Sequence, residues 1–117
     1  NKFIGFVQMK LIELTSSGQG QTAVDLNTAV VTFITRYNHS AEAWVLDLYD
    51  SEGNDILLGL MLLPGIDLLS PYQHQKLLYG GLVLVEKETD AYKDPDGLGT
   101  STKLLWYPPG EEVVIPT

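Results

Sequence analysis

Three aspartates, Asp90, Asp94 and Asp96, stand in one polar stretch just before Gly97. Carboxylates gathered on a loop are the ligand type of a calcium site. A loop of EF-hand type needs oxygen donors at alternate positions and a Glu at the twelfth; counted from Asp94, the fifth residue is Leu98 and the twelfth Leu105, so the pattern fails. Asp50-Ser51-Glu52-Gly53-Asn54-Asp55 fails in the same way and reads as a turn. His39 and His74 could each serve as a base in principle, but a base needs a positioned nucleophile, and an exposed His on a loop is the favoured reading. The chain has no Cys and no Ser in a G-x-S-x-G elbow. Asp47 falls mid-strand among apolar neighbours, where burial would demand hydrogen bonds or a shifted pKa; the favoured reading is that it faces solvent or bonds a nearby turn. Gly18-Gln19-Gly20 lacks the Lys and the following helix of a phosphate loop. Trp44, Trp106, Tyr37, Tyr49, Tyr72, Tyr79, Tyr92 and Tyr107 could line a sugar- or peptide-binding groove, although aromatics in a small β domain more often fill core and interface. No catalytic residue, metal ligand or cofactor site is assigned.

The elements that hold these residues are mostly strands. Residues 3–14 read as one long first strand, bulged near Gly5. The runs on either side of Asn27-Thr28 form a hairpin whose turn lacks Gly. Ala43 to Asp50 alternates cleanly, with Trp44, Leu46 and Leu48 on one face and Val45, Asp47 and Tyr49 on the other. An Asp-initiated turn with Gly53 at its fourth position leads into Ile56 to Leu63. That run is apolar on both faces, so both should be covered, by the fold or by a neighbour. Gly59 inside it marks a bulge or a close backbone approach. Ser70-Pro71-Tyr72-Gln73 has the form of a capping box, with Ser70 as N-cap and Pro71 at N1, and starts at most one short helical turn near 71–77. Strands follow at 82–89 and 102–107, separated by a polar loop. Pro108-Pro109-Gly110 stops the last one, and residues 111–117 form an extended tail. The chain is therefore an all-β single domain over 1–117. Six to seven mainly antiparallel strands make a sandwich or a partly open barrel.

Composition narrows the function classes. The 117 residues suit one domain with a real core, and 44% of them are hydrophobic. Without Cys there is neither a disulfide framework nor a thiolate zinc site. Fifteen acids against seven bases give a net charge of −8, and the seven bases are scattered. Nucleic-acid binding needs clustered cations to displace phosphate counterions, so specific binding of that kind is not expected. The apolar run at 56–63 is too short to span a bilayer, and NKFIGFVQMK does not read as a signal peptide.

One ordered set of residues is more specific than any of these signals. A strand led by Trp44 passes Asp47 and ends at Asp50; a turn holds Gly53; an apolar strand holds Gly59. Pro64-Gly65 and Asp67-Leu68-Leu69 follow, then Gly80-Gly81-Leu82, Leu98-Gly99 and finally Leu104-Leu105-Trp106-Tyr107. This order resembles the plug domain of tailed-phage baseplates of the cyanophage type. The resemblance implies a virion structural component, assembled in the host cytoplasm, without cofactor or catalytic residues. It further implies partners among the hub, spike and tail-tube proteins, copies arranged with three- or six-fold tail symmetry, and a role in plugging or collaring the tail axis. The acidic loop at 86–96 would then face the lumen, where negative charge lets DNA pass without adhering.

Overall fold

The computed structural model describes residues 9–14, 20–26, 29–110 and 113. Among them are seven strands: β1 (Lys10–Ile12), β2 (Gly20–Asp25), β3 (Val30–Asn38), β4 (Ala43–Tyr49), β5 (Asp55–Met61), β6 (Gly81–Glu86) and β7 (Thr102–Tyr107). One helix, α1 (Gln73–Tyr79), precedes β6, and a single 3-10 turn covers Ala91–Lys93. The strands form two antiparallel sheets, β2-β3-β4-β5 and β1-β7-β6. The first is a meander of consecutive hairpins. The second joins the start of the chain to its end, with Lys10 opposite Trp106 and Ile12 opposite Leu104.

Both sheets contribute to one core, which makes the fold a sandwich. Phe33, Trp44, Leu46, Leu48 and Leu60 come from the meander; Ile12, Leu82, Leu84, Leu104 and Trp106 come from the other sheet. The alternation along β4 sends Trp44, Leu46 and Leu48 into this core. Thr35 is also fully buried, and its hydroxyl makes no hydrogen bond. Between β5 and α1 the chain crosses from one sheet to the other. Pro64 bridges Leu84, Asp67 bridges Val83, and the Leu68 N–H donates to the Leu82 carbonyl at 2.7 Å. Residues 64–68 thus run as a strap along β6.

Some elements differ from the sequence reading. Within the described residues the first strand is confined to Lys10–Ile12; the rest of the expected strand at 3–8, its bulge near Gly5 included, lies outside them. The hairpin around residues 27–28 is present, closed by Leu26 N–H to the Ala29 carbonyl at 2.8 Å, although Asn27 and Thr28 themselves lie outside. The capping box is not used. Tyr72 occupies the N-cap position of α1 without a side-chain cap bond. The Ser70 and Tyr72 N–H groups close turns onto the Asp67 and Leu69 carbonyls, so the chain is still turning where the motif would start the helix. The run at 56–63, expected to be covered on both faces by the fold or by a neighbour, is not covered on both by the described chain itself. In the described sheet β5 is an edge strand, and Leu58 keeps 52% of its surface exposed. The tail at 111–117 lies outside the described residues except for Val113.

Candidate functional site

The motif residues converge on backbone, and three aspartates show how. Asp47 sits opposite a break in the β4–β5 ladder. Leu46 pairs with Leu60 and Leu48 with Leu57, so Leu58 and Gly59 together face Asp47 as a bulge. Gly59 takes φ +74°, a left-handed conformation that only Gly adopts without strain. Its N–H donates to Asp47 Oδ1 at 2.7 Å, and the Arg36 guanidinium approaches the same carboxylate at 3.5 Å. One side chain therefore ties β3, β4 and β5 together.

Asp67 does the same for the strap. Its Oδ1 accepts the N–H groups of Leu69 at 3.1 Å and Leu82 at 3.2 Å, and its Oδ2 accepts the Lys76 ammonium of α1. Strap, β6 and helix meet at this carboxylate, which is largely removed from solvent. Gly81 makes the approach feasible. A Cβ there would lie 3.1 Å from Asp67 Oδ2 and 2.6 Å from a Val113 methyl. At Gly80, with φ +98°, a Cβ would fall 2.0 Å from the Tyr107 carbonyl oxygen. Gly80 belongs with the structural set, and its signal was the double glycine ahead of a strand.

Asp50 organises the β4–β5 turn. Its Oδ1 accepts the N–H groups of Glu52 and Asn54, both at 2.9 Å, while the Gly53 N–H returns to the Asp50 carbonyl. The Asn54 N–H above all holds the Asp50 carboxyl below its ordinary pKa, against a partial opposing effect of burial. Leu68, Leu69 and Leu98 fill the core, and the Gly99 N–H closes onto the Thr102 carbonyl at 2.8 Å. Pro64 and Gly65 begin the strap.

The aromatics do not form a ligand platform. Trp44, Trp106 and Tyr107 are buried, and of the eight Trp and Tyr side chains only Tyr72 is exposed. The indole N–H of Trp44 donates to the Asp94 carbonyl at 3.4 Å, and that of Trp106 to the Tyr79 carbonyl. The Tyr37 hydroxyl donates to the Lys93 carbonyl; burial, then the charges of Glu42 and Asp94, push its pKa up. The Trp44 and Tyr37 bonds fasten the acidic loop to β3 and β4, and the Trp106 bond fastens the end of α1 to β7. Asp90, Asp94 and Asp96 themselves point outward, with Asp94 Oδ1 accepting the Asp96 N–H at 2.9 Å. Among the described residues no three His, Asp or Glu side chains gather as metal ligands.

Among the described residues no hydrogen bond or ion pair joins either histidine to an acid–base partner. His39 stands edge-on to Tyr37 with ring centres 4.9 Å apart, and His74 is exposed on α1. A cleft of about 300 Å³ beside β1 holds Glu13 and Lys103 among Leu11, Ile12 and Gly99. A smaller one beneath α1 is lined by Gln73, Lys76, Leu77, Gly80 and Pro108. Neither sets a base against a nucleophile. What the geometry supplies is a fixed shape with its conspicuous residues turned onto their own backbone.

No curated protein matches the chain. A family model does: the one described as the cyanophage Pam3 baseplate plug gp18 matches residues 9–109, a stretch that contains every motif residue from Trp44 to Tyr107. The chain belongs to this cyanophage baseplate plug family, and it is a structural component of the virion baseplate.

Proposed function

We propose that the chain plugs or collars the tail axis where tube, hub and spike meet, and that it holds those proteins in register without catalysing a reaction. Copies follow the three- or six-fold symmetry of the tail. The observation that carries this reading is the match to a baseplate plug over residues 9–109, taken with the use of the motif to brace backbone. A part whose motif carboxylates bond its own backbone acts through its outline and its surface charge. The outward acids Asp90, Asp94 and Asp96 would line the lumen and repel passing DNA.

Cryo-electron microscopy of intact virions tests the placement. Density for the sandwich on the tail axis, bounded by tube, hub and spike, is the expected result; density on the outer baseplate would refute it. Substituting Asp90, Asp94 and Asp96 by Lys tests the lumen-facing loop. Virions carrying the triple variant should assemble and eject DNA more slowly, and unchanged ejection removes the loop from the DNA path.

A further inference from the structure

The net charge of the molecule is unevenly distributed. Of fifteen acids and seven bases, only Asp67 and Lys76 fall between residues 56 and 79. Those two pair with each other, so the whole −8 lies elsewhere. The same span carries β5 from Ile56 onward, the strap and α1, and hydrogen bonds hold them side by side. Gln75 Nε2 of α1 donates to the Ile56 carbonyl of β5 at 3.4 Å, and Lys76 reaches Asp67 on the strap.

This span also exposes six large apolar side chains: Leu58, Met61, Ile66, Tyr72, Leu77 and Leu78. Leu77 is 75% exposed, the largest exposure among these six. Scaled by ordinary side-chain areas, the six present roughly 500 Å² of apolar surface, near the top of the range for a monomer. That is more than half of the ~800 Å² that one partner contributes to a standard interface. The other exposed apolar residues are different. Met9, Leu11 and Val30 are interleaved with Lys10, Glu13, Asp25 and Lys103.

We infer that the apolar face formed by β5 from Ile56 onward, the strap and α1, a span without net charge, is where copies of this chain meet one another. Two molecules of charge −8 repel when most of their surfaces are brought together. Residues 56–79 carry no net charge, so burying them against a second copy sets fewer like charges together than burying the acidic loop would, and charge depletion is the mark of an interface centre. The inference names a partner for the plug proposed above and rests on that reading only for where the copies gather.

The test is sedimentation velocity of the full chain from about 1 to 300 µM, a span that detects weak as well as tight association. The wild type should pass from monomer to a closed oligomer. Leu77→Glu and Leu58→Glu, both at exposed positions, should each weaken association at least tenfold and leave the circular dichroism spectrum unchanged. Leu11→Glu, at the other apolar region, should not. A wild type that stays monomeric, or a Leu11→Glu effect as large as that of Leu77→Glu, overturns the inference. In virions the cysteine-free chain allows a second readout, a bis-maleimide cross-link from Leu77→Cys. A product joining two copies supports the contact, and a product joining the chain to a different baseplate protein overturns it. A monomeric chain would leave axial placement standing, whereas an off-axis position in virions would leave the contact standing.

Discussion

Asp47 and Asp67 differ from Asp90, Asp94 and Asp96 in what their carboxylates hold. The first two are largely shielded and accept N–H groups from elements other than their own: a bulge glycine in one case, β6 and a helix lysine in the other. The loop aspartates stand in solvent; Asp94 accepts only a neighbour two residues on, and Asp90 faces Lys93 at 4.0 Å. The same residue type therefore serves as a joint in one region and as surface charge in another. An N–H left without its acceptor in a shielded place costs about 1–3 kcal/mol, whereas an exposed acid contributes little to stability.

The sharpest break of this comparison is Asp67→Ala. It strands the Leu69 and Leu82 N–H groups and leaves Lys76 without its partner, so urea denaturation should show a loss of about 3 kcal/mol. Asp67→Asn keeps one acceptor oxygen and should lose less. Asp47→Ala removes the acceptor of one bulge N–H and a long contact to exposed Arg36, and should cost about 1.5 kcal/mol in the same measurement. Asp50 gives a smaller effect that depends on pH. Its carboxyl is held below the ordinary value of about 4, so its contribution is complete above that pH and is lost as pH falls through the depressed folded-state value. In an NMR titration the Glu52 and Asn54 amides should therefore move at a lower pH than an unperturbed Asp would dictate. The double substitution Asp90→Asn with Asp96→Asn should change stability by no more than ~0.5 kcal/mol. A large loss there would erase the distinction between the two groups of acids.

Local features were legible in the sequence, and contacts across the chain were not. The β4 alternation, the Asp50–Asn54 turn and the Gly59 bulge each depend on a few consecutive residues, and each is present. The role of Asp67 depends on Leu82 and Lys76, which its own neighbours do not specify. The capping-box pattern failed because two turns onto Asp67 and Leu69 delay the helix to Gln73, a constraint that comes from the strap. The apolar run at 56–63 suggested burial on both faces, and within the chain an edge position leaves part of it exposed. Burial removes Trp44 and Trp106 from any exposed aromatic groove, a point the residue types alone left open.

The pairing of β1 with β7 has a consequence for the order of folding. Each hairpin of the meander closes over a short loop and can form as soon as its two strands exist. Bringing Ile12 to Leu104 closes a loop of about ninety residues, whose entropy cost is met only when much of the remaining structure is in place. During synthesis β1 emerges before β7 and pairs only once β7 has left the ribosome. The β1–β7 pairing is thus completed after the meander, and its closure reports that the chain between Ile12 and Leu104 has been made.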